Sequence, residues 1–312
     1  MNSIHHYLLL ILRGCAMGAA DVVPGVSGGT IAFITGIYEE LVNSIKSIDI
    51  QALKLLLQLK LKTFWKKING NFLLAVIIGI GISIFSLAKL MTWLLTNHPI
   101  PIWSFFFGLI IASSVLVAQE IKHWRISTIL ALITGIFIAY LITVMTPTET
   151  PNSWWFIILS GAIAICAMIL PGISGAFILL LMGKYSYILD AVSHLQISVL
   201  LLFAIGAASG IISFSHLLSW LLKKHHTITI SLLTGFMLGS LNKVWPWKET
   251  IQTYINSHGE EKALIESNIS PQQFEALTQS DPCLWQAILL CIIGFSLIFS
   301  IELVAKKISK KA

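Results

Sequence analysis

Charge is the scarcest commodity in this chain. Only 11% of its 312 residues are Asp, Glu, Lys or Arg, against a hydrophobic fraction of 56% and a mean hydropathy of +0.85. That excludes an ordinary soluble domain, in which about a quarter of residues are charged. Cysteine is sparse as well. Cys15, Cys166 and Cys291 lie in apolar stretches, Cys283 at the edge of one, and no C-x-x-C occurs. Neither a disulfide framework nor a metal site is encoded, and the four read as small apolar fillers. The N-terminus "MNSIHHYLLLILRGCAMGAA" lacks the basic n-region of a signal peptide. Arg13 interrupts its apolar run and stands where a lipoprotein signal needs a small residue, so the chain is read as uncleaved. The net charge of +6 is no nucleic-acid signal, because the lysines sit in short loops. There they report topology and contact with anionic headgroups.

What the chain has instead is apolar length. Several stretches suffice to cross a hydrocarbon core of ~30 Å, which takes about 20 helical residues. An all-α polytopic membrane protein is predicted. The stretches also repeat. An offset of 147 pairs Gly14 with Gly161, Pro24 with Pro171, Gly25 with Gly172, Ser27 with Ser174, Gly28 with Gly175, Gly36 with Gly183 and Tyr38 with Tyr185. An offset of 127 pairs Gly79 with Gly206, Trp93 with Trp220 and Gly108 with Gly235, and at 159 "LITGIF" (132–137) matches "CIIGFS" (291–296). The order is the same in both halves, so 1–146 and 147–312 read as a duplication. The first half divides into A (8–45), B (72–96), C (102–118) and D (127–146). The second divides into A′ (154–193), B′ (197–222), C′ (228–244) and D′ (284–305), with a loop at 245–283.

Loop charges orient these segments. The A–B loop carries Lys46, Lys54, Lys60, Lys62, Lys66 and Lys67, C–D carries Lys122 and Arg125, B′–C′ is "KKHH" and the tail is "KKISKK". All four belong in the cytoplasm. "TNHPIP", "TPTETPNS" and the acidic 245–283 loop belong outside. The repeats are therefore predicted to run in opposite directions. Parity then requires A and A′ to cross an even number of times. Tyr7 to Val22 makes a helix of about 24 Å and Gly29 to Ile45 one of about 26 Å, each short of a full span. Each segment is read as a re-entrant broken hairpin of two short helices, their tips meeting near mid-membrane and three transmembrane helices following. A tight pair of full spans satisfies the same parity.

The hairpins turn at "ADVVPGVSGGTIAFITGIYEEL" (20–41) and "AMILPGISGAFILLLMGKYSYIL" (167–189). Irregular backbone is tolerated in a bilayer only where protein buries it or where it lines a polar cavity. Proline ends one helix, and a second starts beyond it with free N–H groups at the positive end of its dipole. Two such ends facing each other make an anion berth from Pro24, Gly25, Ser27, Gly28, Gly29, Thr30, Pro171, Gly172, Ser174 and Gly175. The competing reading is a plain N-cap with packing glycines.

Nearby charges sort by depth. Asp21, three residues before Pro24, is deep, where a carboxylate is costly and functional by default. It suits a proton carrier, or else a helix cap. Arg13 lies ~16 Å before Pro24, near headgroup level, to catch a phosphate or to snorkel. Glu39 and Glu40 lie about 22 Å beyond Pro24. Glu40 reads as solvated at the interface or as part of a secondary polar path, and Glu39 is the second proton-coupling candidate. Lys89 and His216 correspond at the 127 offset and are predicted to face the shared interior as a secondary polar path. Snorkelling is the alternative for Lys89. Arg13, Asp21, Glu39 and Glu40 align with Ser160, Met168, Ser186 and Tyr187, so the chemistry leans on the first half. Trp103, Trp154, Trp155, Trp245 and Trp247 read as an outer aromatic belt.

At "RGCAMGAADVVPGVSGGTIAFITGIYEEL", "LPGISGAFILLLMGKY" and "GFMLGSLNKVWPW" the chain resembles the bacterial polyprenyl-phosphate (undecaprenyl-phosphate) transporter family over nearly its whole length. The resemblance implies a flippase of the bacterial cytoplasmic (inner) membrane. Such a protein returns undecaprenyl phosphate, the lipid carrier of cell-wall and surface-glycan precursors, from the outer to the cytoplasmic leaflet. It places the functional residues in the two turns and at Arg13, Asp21 and Glu39. Proton coupling is expected, with no cofactor and no metal, and a homodimer is left open. Ala176 stands where the first copy has Gly29, making the second turn less permissive. Two other classes compete. Undecaprenyl-pyrophosphate phosphatase resembles this arrangement but places an Arg after the turn serine, where Gly28 and Gly175 stand here. An anion channel would also use Gly-Ser-Pro turns.

Overall fold

The computed structural model describes residues 3–21, 27–148, 150–255 and 261–309. The first half forms α1 (Ser3–Asp21), α2 (Gly28–Ile34), α3 (Tyr38–Lys46), α4 (Ile50–Leu57), α5 (Leu61–Lys67), α6 (Gly70–Asn97), α7 (Pro99–Ala118) and α8 (Ile126–Val144). The second forms α9 (Trp154–Ile169), α10 (Gly175–Leu181), α11 (Tyr185–Ser193), α12 (Ile197–Lys224) and α13 (His226–Ser240). It closes with β1 (Lys248–Ile255), β2 (Glu261–Asn268), α14 (Pro271–Thr278) and α15 (Leu284–Ser309). The helix starts keep the sequence offsets: α2 and α10, and α3 and α11, begin 147 apart, while α6 and α12, and α7 and α13, begin 127 apart.

Among the described residues, α7, α8 and α12 are each long and apolar enough to cross a membrane. The outward faces of α8 and α12 are apolar too, with Ile126, Leu130, Phe137 and Leu201 exposed. Such continuous outward greasiness would aggregate in water and suits lipid.

Two expectations need correction. The protein is mostly helical, but not all-α. β1 and β2 form an antiparallel pair running from Lys248↔Asn268 to Ile255↔Glu261. "KETIQTYI" is too polar to enter a bilayer and rich in β-branched and aromatic residues, which favours an extended strand. The second hairpin arm is also not one helix. Gly36 (φ +72°) ends α2 and Gly183 (φ +62°) ends α10. In each copy the glycine N–H returns to the carbonyl three residues back, and the next residue's N–H to the one five back. This pair of bonds is a Schellman stop, which needs a left-handed residue that glycine supplies without strain. α10 and α11 consequently meet at 107°.

Packing follows the glycines. α1 lies along α6 and α9 along α12, so this pairing stays within each half. The other two close pairs, α7 with α15 and α8 with α13, join one half to the other. A Cβ on Gly108 would stand 2.0 Å from the Cys291 carbonyl oxygen, and one on Gly235 would stand 2.3 Å from that of Leu132. Side-chain-free surfaces of this kind let apolar helices approach closely where no hydrophobic drive exists between them. The halves are thus interlocked rather than merely adjacent.

Outside the helical body, Ile100, Trp247 and Ala287 make a small separate core that seats the β-hairpin against α7 and α15. Trp247 Nε1 donates to the Pro282 carbonyl at 2.9 Å, and Trp245 Nε1 to that of Ile269 at 2.9 Å. The belt reading of these two tryptophans is therefore corrected: they fasten the loop, whereas Trp154 and Trp155 are exposed.

Candidate functional site at the paired turns

The two turns touch. Pro24 and Gly25 lie outside the described residues, so the first turn is seen from Ser27 onward. Ser27 is extended and caps α2, its Oγ accepting the Gly29 N–H at 3.0 Å and donating to the Met168 carbonyl at 2.9 Å. Thr30, fully buried, accepts the Gly172 N–H on its Oγ1 at 2.9 Å. Tyr38 donates its hydroxyl to the Ile169 carbonyl at 3.2 Å. In the second turn Pro171 is buried, Gly172 takes φ +85°, and Ser174 caps α10. Gly175 packs on the Ala164 carbonyl of α9, where a Cβ would stand at 2.5 Å.

The amides expected to stand open are already engaged. Asp21 at the end of α1 accepts the Gly28 N–H at 2.6 Å, so a carboxylate of the chain itself sits at the start of α2. A side chain on Gly28 would strike that carboxylate at 2.5 Å. Ser27 holds the Gly29 amide and Thr30 that of Gly172. Gly29 has no room either, whereas its counterpart Ala176 faces outward and is exposed. That placement explains why alanine is admissible in only one copy.

The remaining candidates lie away from the turns. Arg13 is half-buried on α1, close enough to Glu40 to feel its charge, though no described residue forms a direct ion pair or hydrogen bond with it. Glu40 is exposed and accepts from Asn69 at 2.8 Å. Glu39 is exposed and accepts from His226 Nε2 at 3.1 Å, joining the end of the first hairpin to the start of α13. The side chain of Lys89 lies outside the described ones. His216 does not face a shared interior. It is exposed on α12 and donates from Nδ1 to its own Ile212 carbonyl at 2.8 Å, one turn back, which turns the ring along the outer surface.

Three lysines were missed. Lys184 is the least exposed charged side chain described, at 1%, although it lies near the surface. Its Nζ donates to the Thr150 carbonyl and to Asn152 Oδ1, each at 2.6 Å, and lies 5.5 Å from the Tyr187 ring centroid. Its repeat partner is Ile37, equally buried, and that match is the signal that marks position 184 as interior. Lys243, just after α13, and Lys248, the first residue of β1, both reach Glu266 Oε2 of β2, at 3.2 and 3.3 Å. No single-sequence pattern announces that pairing. No group of metal-ligating side chains occurs among the described residues.

Comparison with known proteins is specific. Residues 17–262 match the family described as VCA0040-like, undecaprenyl phosphate translocase-like. A protein of Vibrio cholerae serotype O1 named polyprenyl-phosphate transporter is 50% identical over 303 residues, covering 97% of this chain and 98% of that one. One of the same name from Staphylococcus aureus is 35% identical over 259 residues, covering 76% of this chain and 85% of its own. Both are named as transporters and neither as an enzyme. No solved structure matches the chain.

Proposed function

The chain belongs to the VCA0040-like, undecaprenyl phosphate translocase-like family, and from that premise we propose that it carries a polyprenyl phosphate across the bacterial cytoplasmic membrane. The direction is from the outer to the cytoplasmic leaflet, returning the carrier for reuse. The lipid has one expensive part, its phosphate, because the tail is at home in hydrocarbon. The protein then has to supply a polar route for the head alone. The two halves are inverted repeats, the lysine-rich face with α4 and α5 is cytoplasmic, and so is the C-terminus.

The observation that carries this reading is the contact between the turns: Thr30 on Gly172 and Ser27 on Met168 bring both breaks to one place inside an apolar body. Paired breaks of this kind at membrane depth are how inverted-repeat transporters build their substrate sites. Asp21 occupies the Gly28 amide as a resident anion. Protonating it removes that charge and weakens its hold on the amide, so that a phosphate oxygen can displace it, which links one proton to each head admitted. Arg13, midway along α1, takes the head on its way to the cytoplasmic side, with Glu39 receiving the proton. The test is clearance of undecaprenyl phosphate from the outer leaflet of vesicles holding the purified protein. Passage of chloride or inorganic phosphate without lipid movement would make it a channel. Mg²⁺-dependent phosphate release from undecaprenyl pyrophosphate would make it an enzyme.

A further inference from the structure

A chamber of about 340 Å³, lined by no residue of the first turn, is roofed by the β-hairpin. Its floor and walls come from the end of α8, from Phe177 on α10 and from Asn242 and Lys243 after α13. Lys248 of β1 and Glu266 of β2 close it from above. A smaller cavity beneath it is lined by Gly172, Ile173 and Ser174, and shares Thr143, Phe177 and Lys243 with the chamber. Lys243 and Phe177 thus stand between the roofed space and the second P-G-x-S-G turn.

The charge inside is unbalanced. Lys243 and Lys248 converge on one oxygen of Glu266, so two ammonium groups share a single carboxylate. Lys248 also donates to the Lys243 carbonyl at 2.8 Å and lies 4.7 Å from the centroid of Trp103, while Lys243 lies 4.7 Å from that of Phe177. Aromatic faces hold cations in place without neutralising them. Lys248 is only 9% exposed, and a second cation kept this dry against half a counter-ion favours an incoming dianion. The flank is different in kind. Tyr140, Val144 and Met145 at the end of α8 line the chamber yet are exposed, so its side toward lipid is largely apolar. A volume near the lower end of small-molecule pockets admits a head group and a short length of tail, not a whole polyprenyl chain.

We propose that this chamber is the reception site for the phosphate monoester head on the outer face, with Lys243 and Lys248 as its ligands and Glu266 as the internal anion that the phosphate displaces. The proposal deepens the transport reading and rests on it for the lipid's identity. Displacement leaves Glu266 without its lysines, which loosens the hairpin, and it moves Lys243 off Phe177, which opens the way to Gly172. The apolar flank keeps the prenyl tail in the bilayer meanwhile.

The test is binding of farnesyl phosphate and of inorganic phosphate to the full-length protein in detergent, beside vesicle transport of undecaprenyl phosphate. Lys243→Gln and Lys248→Gln are each expected to weaken farnesyl phosphate about tenfold or more, as loss of a charge-assisted contact does. Lys243→Arg retains binding, which separates lost charge from lost folding, and Glu266→Gln tightens it severalfold by removing the competitor. Wild-type affinity in both glutamine variants, with transport intact, would overturn the chamber and leave the transport reading standing. Equal affinity for inorganic and farnesyl phosphate would overturn the lipid source. Wild-type protein that moves no prenyl phosphate at all would sink the transport reading, while loss of inorganic phosphate binding in the lysine variants would still support the anion site.

Discussion

Gly29 is pressed against the second turn so closely that a Cβ built on it would stand 2.4 Å from the carbonyl oxygen of Ile169 and 3.1 Å from that of Met168. Both obstacles are backbone, so neither can rotate away. Gly29→Ala is expected to destabilise the protein by about 1–3 kcal/mol, the usual cost of overpacking, and to part the turns. Thermal unfolding in detergent reads the first effect and lipid transport the second. Ala176→Gly, at the exposed counterpart, should leave transport at the wild-type level.

Thr30→Val tests the joint from the other side. Valine keeps the shape of threonine but leaves the buried Gly172 N–H with no acceptor, which costs about 1–3 kcal/mol. Ser27→Ala removes both a cap and a bond to Met168, for about 1 kcal/mol. Because both fasten one contact, the double variant should lose less than the two single losses together. Strict additivity in melting experiments would mean that the turns are held elsewhere.

Much of this arrangement was legible in the sequence, and the rest was hidden for identifiable reasons. Apolar length gives the helices, and the internal match gives their starts, as α2 with α10 and α6 with α12 show. Self-alignment reveals which positions are equivalent but not which ones touch. Gly108 matches Gly235, yet Gly108 packs on α15 and Gly235 on α8, and only three dimensions disclose that exchange. The break at Gly36 and Gly183 lies in the matched glycines, but a single glycine in a helical pattern does not by itself mark a stop. The site was legible at its centre and not at its rim. Two helix breakers in register name the turns, but Lys243, Lys248 and Glu266 are brought together by a hairpin fold that no periodicity encodes.

Asp21→Asn separates capping from coupling. Asparagine still offers an oxygen to the Gly28 N–H, so folding should be near wild type, but it cannot carry a proton. Uptake by the wild type is expected to rise as pH falls, and uptake by the variant to be lower and flat. An unchanged pH slope in Asp21→Asn would assign the proton elsewhere, with Glu39 the next residue to substitute.

The chamber gives the prediction with the most discriminating sign. Burial pushes the Lys248 ammonium down from its ordinary 10.5 to about 8, against the opposing pull of Glu266, while Lys243 pushes the same way as burial. Burial alone would raise Glu266, but Lys248 and Lys243 outweigh it and hold that carboxyl below its ordinary value, so it titrates only in acid. Between about pH 8 and 10.5 the unfolded chain therefore binds a proton that the folded chain has released. Linkage makes the folded state more stable as pH rises through that window. Anion binding must go the other way, since the ligand loses half its positive partners over the same range. Melting temperature rising while farnesyl phosphate affinity falls is the expected pair of slopes. Lys248→Gln should flatten both. Parallel slopes, or an affinity insensitive to pH between 7 and 10, would remove Lys248 from the site.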